Sequence, residues 1–518
     1  MRSGPIPAAQ YRLPSTGCAV PAALGRRAGD WANIRAVDTL DVLAARLPDG
    51  AVSTDAGLLR DRAIDSWALA LLRRARGDDL AVPAAVVFPA RTEEVATVLA
   101  WASEAHVAVI SRGGGSGVCG GAAMPGGAAA KAAGAGSVVL DLSRMNQVTA
   151  VDPVSQVVTA EAGVRGDQLE EILAARGLTT GHYPQSIAAS TVGGWIAASS
   201  AGQASTGFGA IEDVLLGLTA VLPGGEILRC RPVPRSAAGP DLRRLLVGSE
   251  GTLAVVTEAT LACRARPAGW DWLPASFATF EALAEGLREA GRAETGAAVI
   301  RGYDETDAQL SFGALGHASG CVALLGFPVG PGGRETLEAR KQAAAAVLRQ
   351  AGSSGPLDAA YGEHWWQHRN DAVATYASIM GPERAFGPGV IVDTFEVAGL
   401  WSDVPRLYAG IRDVLAAHAQ AVLCHLSHVY PSGSSLYFTF LVSGADDQDA
   451  EPRYLAAWDD ATRSCAAAGG TLTHHHGVGR LKAPFLAAEL GQEGLDVLRK
   501  IKTALDPGQI MNPGVLLL

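Results

Sequence analysis

Nowhere in the 518 residues do two cysteines form a CxxC pair. The seven that occur (Cys18, Cys119, Cys230, Cys263, Cys321, Cys424, Cys465) are scattered and odd in number. That excludes a zinc ribbon and suits free thiols in a reducing cytoplasm better than a disulfide framework. Also missing is any run of about 18 uncharged apolar residues, the length a membrane-spanning helix needs. The opening MRSGPIPAAQYRLP lacks the continuous apolar core of a signal peptide. A cytoplasmic protein with no membrane span is therefore expected. Clustered lysines and arginines are absent as well. With a net charge of −10 and a pI near 5.6, the chain is a poor partner for nucleic acid and a better one for a small-molecule substrate.

What is present is apolar bulk: 48% of residues are hydrophobic and 18% charged, enough over this length for two or more domains. Residues 1–80 show helical periodicity in TLDVLAARL and DRAIDSWALALLRRARGDD and are expected to form an N-terminal helical extension. From Val82 the texture changes. A short apolar run from Ala85 to Phe88 stops at Pro89; Thr92 is expected to cap a helix carrying Glu93 and Glu94 in its first turn; a second β-rich run, Val107 to Ile110, ends in glycines. Residues 122–137 are of low complexity and are expected to be a mobile surface insertion. Residues 213–229 read as a hairpin about Pro223, Gly224 and Gly225. Past Arg266 longer helices alternate with strands, and a second α+β domain is expected.

Three segments carry chemistry. SRGGGSGVCGG, from Ser111 to Gly121, follows a strand, so its backbone amides can approach a phosphate closely. It is neither a Rossmann fingerprint nor a Walker loop, because no helical pattern follows and no Gly-Lys-Ser/Thr is present. Gly181 to Gly217 and Gly248 to Leu261 add glycines and hydroxyl side chains beside strands. Three such segments together point to an extended, partly anionic cofactor.

SRGGGSGVCGG, YPQSIAASTVGGW, SAGQASTGFGAIEDV, GPDLRRLLVGSEGTLAVVTEATL, THHHGVGRLKAPFL and LDPGQIMNPG occur in this order. The set resembles the FAD-binding oxidase family of the p-cresol methylhydroxylase and vanillyl-alcohol oxidase type, and within it the alkyldihydroxyacetonephosphate synthase-like flavoenzymes. The resemblance spans about residues 80 to 518. It implies an α+β fold: a two-subdomain FAD-binding domain (81–265), an α+β cap domain for substrate (266–455), and a C-terminal segment (456–518) returning to the FAD half. It also implies that Ser111, Arg112, Gly113, Gly114, Gly115, Ser116 and Gly117 wrap the pyrophosphate. Pro184, Gln185, Ser186, Ser190, Thr191 and Gly194 would run beside the flavin; Ala198, Ser200, Ala201, Glu250, Gly251 and Val256 would complete its walls. Within its motif, Glu250 is expected to make a backbone or ribose contact. The glycine loop has no histidine for a flavin bond and Cys119 reads as a small buried thiol, so FAD is expected to be non-covalent.

Opposite the flavin, His425, His428 and Tyr437 in one motif and His474, His475 and His476 in another are the acid–base candidates. Related D-2-hydroxyacid dehydrogenases bind a divalent metal through two histidines and a glutamate, at places held here by His428, Tyr437 and His475. Only one keeps its residue type, so no metal is expected, with a histidine-only zinc site left open. The synthase likeness makes Tyr437 the acid–base group, His475 and His476 its helpers, and Arg301 a residue that orients them or binds an anion. Side chains alternate along an extended segment, so only two of the three adjacent histidines are expected to share the site. Two synthase arginines are absent: Ser378 stands at one, in a loop where Arg384 is a candidate replacement, and Ala198-Ser199-Ser200-Ala201 replaces the motif holding the other.

The leading expectation is oxidation of a small organic substrate by hydride transfer to flavin N5, with oxygen or another acceptor reoxidising the flavin. The alternatives are the synthase's non-redox acyl-to-alkyl exchange through an N5 adduct, and a metal- or sugar-binding protein without flavin. Homodimers are common in this family, and one is expected here.

Overall fold

The computed structural model describes residues 36–124, 136–330 and 333–517. Residues 1–35 of the expected N-terminal extension, and most of the low-complexity segment, lie outside the described residues. The ends of that segment are not loose: Ala123 and Met124 are buried, and Ser137 opens a strand.

Within the N-terminal stretch the helical pattern breaks into Ala36–Arg46, Ala56–Arg62 and Ala68–Arg76. The break at residues 64–67 has a use. The Ile64 carbonyl accepts from Arg112, Asp65 accepts the Ala122 amide, and the Ser66 amide donates to the Gly117 carbonyl. The short strand Val52–Ser53 pairs antiparallel with Ala85–Val87, so this stretch also edges the first sheet. That sheet continues in parallel through Ser137–Asp141 to Ala108–Arg112, which feeds the glycine loop.

Helix Thr92–Ala105 carries Glu93 and Glu94 in its first turn. Thr92, however, is its first helical residue rather than its cap. Its hydroxyl lies 3.0 Å from that of Thr257, and Glu94 instead reaches back to accept the Ala90 amide at 2.8 Å. No side chain caps the helix, whose first-turn acids meet the positive end of its dipole. The expected hairpin forms: Leu215–Val221 and Ile227–Cys230 lie at one edge of a five-stranded antiparallel sheet, against which helix Val192–Ala198 packs.

The third large layer is a seven-stranded antiparallel sheet, beginning at Trp270–Phe277. Its strand Gly433–Ser443 sends Leu436, Phe438, Phe440 and Val442 into the largest hydrophobic cluster. Period-2 alternation therefore sends Tyr437 to the opposite face. Register does the rest: Tyr437 pairs with Glu396 on Val390–Leu400 and with His425 on Ala421–Ser427, while His425 pairs with Tyr303, two residues from Arg301. Four polar residues far apart in sequence thus share one face. Helix Asp447–Ala467 runs unbroken through residues 455 and 456, where the cap was expected to end; it packs on Val390–Leu400 and belongs with the cap sheet.

Helix Leu486–Leu505 brings the tail back to the glycine segments. Buried Lys502 donates to Asp506 and to the carbonyls of Thr252 at 2.7 Å and Met511 at 2.8 Å. Met511 bridges to Val109, and Asn512 Nδ2 donates to the carbonyls of Gly121 and Glu250. Replacing Lys502 with Met would strand Asp506 as an unpaired buried acid, a loss of about 3–5 kcal/mol. Urea unfolding of the FAD-loaded protein should show it; a loss under about 1 kcal/mol would mean that apolar packing alone docks the tail.

Candidate active site

The three glycine-rich segments meet. A Cβ at Gly113 would lie 2.3 Å from Thr191 Oγ1, one at Gly114 1.8 Å from the Ala189 carbonyl, and one at Gly251 2.2 Å from Ser111 Oγ. Only hydrogen at these positions allows the backbones to close. Several side chains expected at the cofactor have other duties. Arg112 turns into the protein, where its Nη1 donates to Ile64 at 2.6 Å and a Cβ at Gly115 would strike its guanidinium. Thr191 caps its helix at Gly194, Ser190 accepts from Trp195 Nε1, and Ser200 shares a hydrogen bond with His182. These residues shape the segments, and the backbone amides and the remaining small side chains are left for a ligand. Two buried polar atoms beside them, His182 Nδ1 and Asn512 Oδ1, have no partner. Close-set backbone with orphaned polar atoms fits a large polar cofactor such as FAD.

Glu250 accepts the amides of Val478 at 2.7 Å and Gly479 at 2.9 Å, so it joins the FAD half to the segment just beyond the histidines; burial raises its pKa to about 7. Its expected contact is thus a backbone one within the chain. The Cys119 carbonyl accepts the Arg480 and Leu481 amides, and the thiol is buried, with burial raising its pKa.

All three histidines reach one cluster, against the expectation of two. Strand alternation does not apply, because residues 473–476 curl about the fully buried carboxylate of Glu396. Glu396 accepts from Thr473 Oγ1 at 2.6 Å, from the amides of His474 at 2.6 Å and His476 at 3.0 Å, and from Lys482 Nζ at 3.0 Å. Burial would raise its pKa, but the Lys482 ammonium, then the imidazoles of His476 and His475, hold it well below the usual range. The Tyr437 ring stacks on His425 at 4.7 Å and lies 5.3 Å from His476 and 6.1 Å from His475. His475 stands 4.6 Å from His476 and 5.2 Å from His474, while His474 Nε2 meets the Tyr430 hydroxyl at 2.8 Å.

The cluster is uncharged at neutral pH. Desolvation lowers the pKa of His476 to about 4 and that of His475 well below 6.5, and it raises that of Tyr437 to about 12. Each of the three still keeps part of its surface open, the pattern of side chains lining a recess. The helpers expected for the phenol are therefore neutral imidazoles. The cation present is Arg301, buried, with Nε donating to the Tyr303 hydroxyl at 3.0 Å and its guanidinium 5.1 Å from the Trp365 ring. It forms no ion pair with a carboxylate among the described residues; Asp304 is taken by Arg412 and Tyr408. Its charge acts on His425, His428 and Tyr437.

Nitrogens of His428, His474 and His475 lie within 4.8 Å of one another, a spacing that could hold a metal ion. In the structure the group is bound together internally: His428 Nδ1 meets Ser205 Oγ at 2.6 Å, and His474 Nδ1 meets His475 Nδ1 at 3.0 Å. Arg384 does not replace the absent substrate arginine, because it is held by Asp447, and Ser378 Oγ donates to the Thr375 carbonyl. Glu396, Lys482 and Tyr430 escaped the sequence reading. An acid in the apolar strand VIVDTFEVAGL was the available sign of Glu396; for Lys482 there was none.

Comparison with known proteins agrees with this geometry. Residues 83–231 match an FAD binding domain, and residues 272–516 match the C-terminal domain of FAD linked oxidases. An uncharacterized FAD-linked oxidoreductase of Escherichia coli (strain K12), YgcU, is 30% identical over 462 residues, covering 84% of this chain and 89% of that protein. Alkyldihydroxyacetonephosphate synthase of Dictyostelium discoideum is 28% identical over 477 residues, covering 86% and 75%. A solved alkyldihydroxyacetonephosphate synthase structure superposes with a TM-score of 0.75 at 24% identity, over 92% of this chain and 84% of that one, a likeness of fold. A protein without flavin is thereby set aside: the chain belongs to the FAD-linked oxidases, and its cofactor is FAD.

Proposed function

We propose that this flavoprotein oxidises a small organic anion, with Arg301 holding the anionic group and Tyr437, His475 and His476 removing the proton. The observation that carries the reading is an uncharged phenol–imidazole cluster acted on by a buried arginine that has no carboxylate partner among the described residues. When bound, FAD supplies the two-electron acceptor for hydride from the substrate carbon. The chain handles the proton. A phenol with a pKa near 12 is protonated at rest, so the Tyr437 oxygen takes the substrate proton as its own passes to a neutral imidazole. Glu396, with Oε2 3.9 Å from Nδ1 of His475 and Oε1 3.9 Å from Nδ1 of His476, steadies the resulting imidazolium. Non-covalent FAD, reoxidation by oxygen, a homodimer and a cytoplasmic location accompany this reading. Among the described residues no helix is long and apolar enough to cross a membrane.

Acyl-to-alkyl exchange is the second reading, favoured by the likeness to the Dictyostelium synthase. Against it stands the loss of substrate arginines, with Arg384 neutralised by Asp447. The two are separated by mixing the flavoprotein anaerobically with candidate alcohols, amines and hydroxyacids: bleaching of the flavin supports oxidation. Fatty acid release from an acyl dihydroxyacetone phosphate, with no bleaching by any candidate, supports exchange.

Tyr437→Phe should retain FAD and lose roughly 10²–10⁴-fold in turnover. Turnover within a few-fold of the parent would remove Tyr437 from the mechanism.

The acid limb of the pH profile tests the imidazoles. They must be neutral to accept a proton, and their folded pKa values are depressed, so activity is lost only as pH falls through those values. With His476 at about 4, kcat/KM should stay flat from about pH 8 to pH 5 and decline below. A limb near 6.5 would show that an ordinary, solvated histidine is the base.

A further inference from the structure

We infer that this chain carries a second anion subsite, on an aromatic rim between the FAD half and the cap, formed by Arg369 and Arg264 and suited to an aryl carboxylate. The inference rests on Tyr437 as the catalytic centre only in naming what the subsite feeds.

Trp270 and Trp366 of the cap lie 4.7 Å apart, and Phe208 and Tyr183 of the FAD half stand 6.0 Å from Trp270 and Trp366 respectively. All four are half-buried, so their rings form the outer edge of the cluster that encloses Trp272 and Trp365. Each end of this edge carries a guanidinium. Arg369 lies 3.7 Å from the Trp366 ring centre and Arg264 4.2 Å from that of Phe208. Neither pairs with a carboxylate among the described residues. Tyr183 feels both, and the nearby acid, Glu170, is taken up by Thr179 and Thr180.

Polar atoms here are left without partners. Arg264 Nη2 donates to the Phe208 carbonyl at 3.0 Å and Arg369 Nη1 to that of Trp366, but among the described residues Nε of Arg369, Nε of Arg264, Oδ1 of Asn370 and Oε1 of Gln203 are each buried and unbonded, although Gln203 Nε2 fixes the Arg369 carbonyl at 3.1 Å. Orphaned buried donors are costly, and the two guanidinium Nε–H groups call for an acceptor that carries negative charge. A guanidinium meets a carboxylate in a planar fork, and indole and phenol rings accept a flat apolar body, so one molecule with both parts suits a guanidinium and the rings beside it. The rim also leads inward. Trp366 is 6.1 Å from Trp365, whose ring lies 5.1 Å from the Arg301 guanidinium beside the Tyr437 cluster. The rim and Arg301 thus share one aromatic wall, in a chain whose net charge of −10 otherwise repels anions.

Calorimetric titration of the FAD-loaded full chain with phenylacetate, and with its neutral amide, tests the subsite. The acid should bind about tenfold or more tighter than the amide, and Arg369→Gln and Arg264→Gln should each weaken the acid by about tenfold, with Arg369→Lys between. Binding should persist in Arg301→Gln. If a rim variant loses FAD or melts early, the acid–amide comparison on the parent and the Arg301→Gln titration still decide. Equal binding of acid and amide, no binding of the acid, or binding abolished by Arg301→Gln but untouched by Arg369→Gln overturns the subsite; the last outcome leaves the reading of Arg301 and Tyr437 intact.

Discussion

One carboxylate organises the candidate active site. Glu396 has no exposed surface, and it is surrounded by four donors from a segment about eighty residues further along the chain. A lone buried carboxylate would cost several kcal/mol. Lys482 removes that cost, and the lysine is itself fully enclosed, so neither side chain is tolerable without the other. The amides of His474 and His476 need Glu396 to fold inward. What looks like a histidine site is therefore built on a buried ion pair, and the imidazoles are presented by the loop that the pair holds.

This arrangement also fixes the charge of the centre. The ion pair cancels internally, which leaves the histidines to respond mainly to desolvation, and desolvation favours their neutral form. Neutral imidazoles can accept protons and cannot repel Arg301. Asp307, 2.9 Å from His425 Nδ1, acts on one side of the cluster as an anion, and Arg301 is left on the other with a positive charge that no carboxylate pairs among the described residues. A carboxylate beside Arg301 would erase it; Asp304, three residues away, is kept from doing so by Arg412 and Tyr408.

The glycine segments, their order and the cap strands were legible, because each rests on local backbone chemistry or on period-2 alternation. Tyr437 was legible from resemblance, and the register now gives a physical reason for it: Phe438 enters the core, so its neighbour cannot. The errors arose where distant groups overrode local rules. Thr92 became the first helical residue, with its hydroxyl turned to Thr257; Arg112 was drawn inward by the Ile64 carbonyl; the alternation rule failed over His474–His476 because the segment is curled by Glu396. Each override is a hydrogen bond spanning 48 to 165 positions, invisible to a window moved along the chain.

The C-terminal tail shows why such connections matter to the chemistry. Asn512 ties the end of the glycine loop to Glu250, and Glu250 in turn grips Val478 and Gly479, immediately after the histidines. The histidine loop is thus fixed from the cap side by Glu396 and from the FAD side by Glu250. A loop held by acids from both halves cannot keep its place if the halves separate. The distance between the glycine-rich segments and the histidine cluster is therefore set by backbone amides shared between domains, at the place where the chain's last quarter crosses from one half to the other.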